Sequence, residues 1–243
     1  KPNADSFRPP VTITEYTAEY KYRGDVCLFA CYAADPVNVG SGNYYHSNVD
    51  IKLKGYENIE LKRFYNSSGE IMSSLFGNNF TTNFDQFTFY DENQNLYYLT
   101  ENGRIYQYLN NNGSYSTDID NPFTLSFNEN KVVITDEKTH NVMVFNEYGL
   151  LDKIQELSGQ FIKPVYDEYG MIRKLSLSDA SEVIFNYNNQ NMVQEIILPD
   201  ATKVFYEYNE NRQLTKFTNA QGYTETYSYD ESGHINEIVD ENG

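Results

Sequence analysis

The sequence has no tryptophan, two cysteines in 243 residues, and only 18 lysines and arginines against 35 aspartates and glutamates. A net charge of −17 and a pI near 4.5 leave no basic patch to displace counterions from a phosphate backbone, which excludes nucleic acid as a partner. Anionic membrane surfaces are disfavoured on the same ground. Cys27 and Cys31 are too few for a disulfide framework. With no histidine nearby they cannot fill a zinc shell, and they read as small apolar core residues. The longest apolar run, Val26 to Ala34, falls far short of the roughly 20 residues of a membrane helix. The opening Lys1-Pro-Asn-Ala-Asp5 has no signal-peptide core. What abounds is aromatic: 23 tyrosines and 15 phenylalanines. Disordered acidic chains are poor in aromatics, so this acidic chain reads as folded.

The aromatics keep a period. Phe145, Tyr166, Tyr187, Tyr208 and Tyr229 stand 21 residues apart. Each precedes a turn-like tetrapeptide: Asn146-Glu-Tyr-Gly149, Asp167-Glu-Tyr-Gly170, Asn188-Asn-Gln-Asn191, Asn209-Glu-Asn-Arg212 and Asp230-Glu-Ser-Gly233. Asp or Asn comes first in all five, and Gly or Asn fourth in four, the residues that bond their own backbone or accept positive φ. Counting from the aromatic, plus six is aliphatic (Leu151, Ile172, Val193, Leu214, Ile235) and plus nine apolar (Ile154, Leu175, Ile196, Phe217, Ile238). Plus eight is always charged, and plus fourteen small: Gly159, Ala180, Ala201, Gly222, Gly243.

Between these markers Val183, Phe185 and Tyr187, and likewise Val204, Tyr206 and Tyr208, alternate with polar residues, the period of a strand with one apolar face. Each unit therefore reads as a β-hairpin. The opposite parity of plus six and plus nine implies either a bulge, which would coil the sheet, or a two-faced strand. Upstream, Tyr65-Asn-Ser-Ser-Gly69, Tyr90-Asp-Glu-Asn93, Tyr108-Leu-Asn-Asn111 and Phe127-Asn-Glu-Asn130 read as looser turn openings. No stretch carries a capped 3.6-residue period, so the expectation is an all-β fold of serial hairpins coiling into an open antiparallel sheet. Tyrosine suits such a sheet if its rings pack across strands and its hydroxyls reach water.

Chemistry-bearing motifs are missing. His46, His140 and His234 stand isolated, and no G-x-S-x-G, HExxH or phosphate loop occurs. Asp118-Ile-Asp120 and Asp136-Glu137 lack the ligand spacing of a calcium loop and read as solvated turns. No catalytic residue, metal site or cofactor is expected.

The unit Tyr-Asp-x-x-Gly, best kept at Tyr166-Asp-Glu-Tyr-Gly170 and Tyr229-Asp-Glu-Ser-Gly233, resembles the YD repeat of Rhs-family bacterial toxins, of ABC-type toxin shells and of teneurins. Upstream, Asp35-Pro-Val-Asn-Val-Gly-Ser-Gly42 and Leu61-Lys-Arg-Phe-Tyr-Asn-Ser67 resemble the segment that opens an Rhs shell. The resemblance covers residues 35–243. It implies a spiral of hairpins forming a hollow cocoon, which in toxin members encloses a C-terminal toxin released by autoproteolysis. No Asp-Pro-x-Gly closing motif follows the repeats, the only Asp-Pro being Asp35-Pro36, so the family's cleavage residues have no counterpart.

The expected organisation is a leader of unknown role (1–34), a shell-opening segment (35–64), degenerate hairpins (65–144) and five regular repeats (145–243). Because a repeat is still running at Gly243, the sequence reads as a piece of a longer chain and as the first arc of a shell. The expected function is non-catalytic containment in a secreted or surface-borne bacterial toxin, with the rest of the shell and an enclosed C-terminal toxin as partners. The alternative is a cell-surface module that binds carbohydrate through tyrosine-rich faces, with Tyr206 and Tyr227 as candidate glycan contacts.

Overall fold

The structure, a computed structural model, describes residues 42–56, 59–68 and 73–240. Cys27, Cys31, the leader, most of the Asp35–Gly42 motif and the turn ending at Gly69 lie outside them. Among the described residues there are twenty-one strands, all paired antiparallel, and no helix. Strands β1 (Tyr45–Lys52), β2 (Glu60–Asn66) and β5 (Phe80–Thr82) form one small sheet, and β3 (Ser73–Ser74) with β4 (Gly77–Asn78) a short hairpin. Strands β6 (Phe87–Tyr90), β7 (Leu96–Leu99), β8 (Ile105–Asn111) and β9 (Ser114–Ser116) form a second sheet.

The third sheet has twelve strands, β10 (Phe123–Asn128) to β21 (Ile235–Val239), whose spatial order is their chain order. It is an open meander. After β10 and β11 (Lys131–Asp136), its hairpins are β12 (Val142–Phe145) with β13 (Leu151–Gln155), β14 (Phe161–Tyr166) with β15 (Ile172–Leu177), β16 (Glu182–Tyr187) with β17 (Val193–Ile197), β18 (Lys203–Tyr208) with β19 (Leu214–Thr218), and β20 (Thr224–Tyr229) with β21.

The parity question resolves as a bulge. In every regular hairpin the register shifts beside the aromatic: Val144 faces Lys153 but Phe145 faces Leu151, and the same step recurs in the next four. One extra residue at plus seven (Asp152, Arg173, Gln194, Thr215, Asn236) stands unopposed, so plus six and plus nine both turn to the apolar face. Leu151, Ile172, Val193 and Leu214 are buried there beside Ile154, Leu175, Ile196 and Phe217. Three of the five charged plus-eight residues make cross-strand pairs on the other face: Lys174–Glu182 at 2.6 Å, Glu195–Lys203 at 2.7 Å and Lys216–Glu207 at 2.9 Å. Such exposed pairs contribute a few tenths of a kcal/mol each, and they keep that face soluble.

The plus-fourteen residue closes the opposite turn. Gly159, Ala180, Ala201 and Gly222 all have φ between +65° and +90°. Each donates its N–H three residues back, to Glu156, Leu177, Leu198 and Asn219 respectively. A side chain is strained in that conformation by about 1 kcal/mol. Ala180→Gly and Ala201→Gly are therefore expected to raise stability by about 0.5–1 kcal/mol each in urea unfolding, although glycine normally destabilises a sheet protein.

Two upstream turns differ from the sequence reading. Tyr108 and Phe127 do not open repeat-type turns: β8 runs on to Asn111, and β10 to Asn128. These hairpins close on two-residue turns, Asn112-Gly113 and Glu129-Asn130, with positive φ at both positions. That is the mirror-image turn whose twist matches paired strands. At Tyr90 the repeat turn does occur, with Gln94 at φ +60° and the Asp91 carboxylate accepting from the N–H groups of Asn93 and Asn95.

Candidate functional site

The repeat turns share one construction. The Asp or Asn after the aromatic turns its Oδ1 inward to accept from the backbone two and four residues on: Asn146 from Tyr148 and Leu150, Asp167 from Tyr169 and Met171, Asn188 from Gln190 and Met192. Asn209 and Asp230 do the same. The fourth turn residue has positive φ in all five, Gly149, Gly170, Asn191, Arg212 and Gly233. Arg212 holds that conformation with a side chain that glycine would dispense with, its Nη1 donating to the Gln190 carbonyl at 2.6 Å.

The repeat tyrosines have a second duty that the sequence did not disclose. Their hydroxyls bond within the sheet. Each donates to the plus-six carbonyl of the preceding repeat: Tyr166 to Leu151 (2.8 Å), Tyr187 to Ile172 (2.5 Å), Tyr208 to Val193 (2.7 Å) and Tyr229 to Leu214 (2.7 Å). The reason lies in the pairing between hairpins, which stops at plus eight or plus nine. Beyond that point the plus-six carbonyl has left the ladder, and the phenol of the next repeat takes it up. A buried carbonyl must find such a donor. Phe145, first of the series, has no hydroxyl and is simply buried.

Burial pushes the phenols of Tyr166 and Tyr208 well above the ordinary 10.0, and it raises those of Tyr187 and Tyr229. A raised acid keeps its full stabilising effect below the unfolded-state value, because both states then hold the proton. Above it the unfolded chain ionises first, and stability falls as pH rises toward the folded values. The urea midpoint is therefore expected to hold steady from pH 8 to 9.5 and to fall steeply above pH 10.

The opening segment is fastened to the repeats through one buried charge. Arg63, on β2, is 1% exposed. Its Nε and Nη2 donate to Asp50 Oδ2 and Oδ1 at 2.6 and 2.9 Å, and Nη2 also donates to the Tyr227 hydroxyl at 3.0 Å. The Tyr206 hydroxyl donates to Asp50 at 2.8 Å. The rings of Phe80, Tyr206, Phe217 and Tyr227 surround the guanidinium with centroids 5.0–5.7 Å away. Glu225 lies 3.8 Å off, accepting from Asn48 and within 3.3 Å of His46. Arginine fits because its charge is planar, permanent and stackable on aromatic faces. Further ties join the two regions: Ile235 N–H to the Tyr65 hydroxyl, Ile59 N–H to Glu156, and Phe76 edge-on to Tyr206 at 5.3 Å.

This cage corrects one expectation. Tyr206 and Tyr227 are 3% and 4% exposed, with their faces against Arg63, so neither can stack on a sugar. His140 and His234 sit on exposed turns, away from the cage. Among the described residues no group of three His, Cys, Asp or Glu side chains could hold a metal ion, and no helix is long and apolar enough to cross a membrane. Sequence reasoning could find Arg63 only through the shell-opening motif, Leu61 to Ser67. Its partners carry no local signal.

The fold and its turns thus define a serial β-hairpin repeat protein. Residues 206–243 match the RHS repeat, and residues 34–108 match a domain of unknown function, DUF6531. The chain thus carries an RHS repeat at residues 206–243, where the YD motif Tyr229-Asp-Glu-Ser-Gly233 lies. No curated protein matches the sequence significantly. Among solved structures, the chain is similar to a crystal structure of TcdB2-TccC3-Cdc42, at 10% identity and a TM-score of 0.32 over 84% of this chain and 11% of that one. TcdB2-TccC3 without its hypervariable C-terminal region gives 12% identity, the same TM-score and the same coverage. A Photorhabdus luminescens Tc holotoxin pore gives 12% and 0.31, over 81% of this chain and 10% of that one. The chain spans about a tenth of these proteins, and superpositions this loose transfer no detail.

Proposed function

We propose that the chain is a non-catalytic wall segment of an Rhs/YD-repeat shell that encloses or presents a C-terminal toxin domain, in a protein secreted by a bacterium or held at its surface. The observation behind this reading is the uninterrupted twelve-strand meander, in which the same turn and bulge recur in all five regular hairpins and the tyrosine tie in the last four. Such a sheet extends by adding identical hairpins, and the regular bulge gives every hairpin the same bend, which is what a wall curving round a cargo requires. The opening segment packs on the apolar face of these hairpins through the Arg63 cage, which ties β2 to β18, β19 and β20. The wall's partners are then the further hairpins of its own shell and the domain that they surround. A surface module binding carbohydrate through Tyr206 and Tyr227 loses its contacts to burial.

Electron cryo-microscopy of the parent polypeptide extended beyond Gly243, with limited proteolysis of the same sample, tests this. The expected result is a hollow β-shell with density inside and a C-terminal domain protected until the wall is cut. A solid β-domain with no lumen, or a downstream region cleaved at the rate of a free domain, would overturn it.

A further inference from the structure

The second sheet, β6 to β9, has two apolar faces, and its register separates them. Leu96, Tyr98 and Tyr108 share one face and belong to the main core. Phe87, Phe89, Tyr97, Leu99 and Ile105 share the other and form a small cluster of their own. Phe89 stacks between Phe87 and Tyr97, with centroids at 6.1 and 5.0 Å. At the centre of this outer face Leu99 is 0% and Ile105 1% exposed, whereas Leu109, further along β8, is 47% exposed.

Side chains with no exposed surface need atoms packed over them. Among the described residues no apolar side chain from outside β6, β7 and β8 joins the cluster. The first regular turn meets it at the β6 rim, where Gly149 lies against Phe87. The rest of the chain is residues 1–41, 57–58, 69–72 and 241–243. The three short segments hold two to four residues each, too few to cover three strands spaced about 5 Å apart.

Residues 1–41 enter the fold beside this face. Asn43 Nδ2 donates to Asn66 Oδ1 at 2.9 Å, and Asn66 Nδ2 donates to the Asn102 carbonyl at 2.8 Å. The described chain thus starts two hydrogen bonds from the β7–β8 turn, which lies between Leu99 and Ile105. From Ala34 to Asn43 an extended chain spans up to roughly 30 Å, more than the length of β8. Composition then selects Val26-Cys-Leu-Phe-Ala-Cys-Tyr-Ala-Ala34, the longest apolar run of the sequence and free of charge. Arg23 and Asp25 precede it, and Asp35 follows. Its large side chains match an uncharged aromatic and aliphatic surface, and its alanines and cysteines permit close approach.

We propose that residues 26–34 of this chain are the layer over the outer face of the second sheet. The leader is then a strap that holds β6, β7 and β8 against the main core. This goes beyond the wall reading and stands or falls independently of it.

The chain's two cysteines, Cys27 and Cys31, both lie in this run, so the full chain carries its own probe. With iodoacetamide both are expected to react at least about ten-fold more slowly in the native chain than in urea, at every protein concentration. Hydrogen exchange locates the contact. In Leu28→Asp with Phe29→Asp, amides of β6, β7 and β8 are expected to exchange at least about ten-fold faster, while β14 to β19 keep their parental protection. If that variant unfolds throughout, Leu28→Ala takes its place and must show the same local pattern. Thiols as reactive as in urea, or exchange in β6 to β8 unchanged in the deciding variant, would overturn the assignment. Protection lost on dilution would give the face to a second copy of the chain and overturn it equally.

Discussion

Arg63→Met is expected to destabilise the chain by about 3–5 kcal/mol, the usual cost of removing one partner from a buried ion pair. The substitution leaves Asp50, itself 7% exposed, facing four rings with only the Tyr206 hydroxyl still donating to it. The Tyr227 hydroxyl loses its contact as well. Most of the penalty is the stranded carboxylate rather than the lost pair, and this makes the explanation separable. Arg63→Met with Asp50→Asn, which leaves no charge at position 50, should be more stable than Arg63→Met alone. Urea unfolding of the two variants checks the order, and a double variant no better than the single one would show that the rings, not the charge, carry the cage.

Gly149→Ala is expected to cost more than 3 kcal/mol, well beyond an ordinary glycine substitution. Gly149 has φ +79°, and a Cβ built on it would lie 1.8 Å from the Thr88 carbonyl oxygen, backbone that cannot swing aside. The contact is close because the first regular turn docks there on β6: Thr88 N–H donates to the Gly149 carbonyl at 2.9 Å, and Phe87 bridges to Leu150. Gly159 is the control. Its φ is +90°, yet a Cβ there meets nothing within 4 Å, so Gly159→Ala carries only the conformational strain, about 1–2 kcal/mol. Equal unfolding midpoints for the two variants would remove the docking contact from the account.

What the sequence disclosed was local chemistry. A turn needs Asp or Asn to hold its backbone and a residue that accepts positive φ, and a half-buried strand needs alternation, so period, hairpins and turn positions could all be read directly. The bulge showed only as a parity conflict, because register is a property of two strands together. The destination of the tyrosine hydroxyls was misread for a similar reason: where a ladder ends between hairpins leaves no mark in either one. The Arg63 cage joins residues 164 positions apart, and nothing near Tyr206 or Tyr227 distinguishes a tyrosine facing a guanidinium from one facing solvent. Turns at Asn112-Gly113 and Glu129-Asn130 were obscured by an aromatic rhythm that loosens upstream of Phe145.

The central claim is that tyrosines at this period hold neighbouring repeats together through their hydroxyls. Urea unfolding of the combined variant Tyr166→Phe, Tyr187→Phe, Tyr208→Phe and Tyr229→Phe tests it, since each ring stays and only the tie is lost. A loss of about 1 kcal/mol per tyrosine is expected, close to 4 kcal/mol in all, with each single variant taking its share. A combined variant within about 0.5 kcal/mol of the parent would contradict the claim and leave the tyrosines as packing alone.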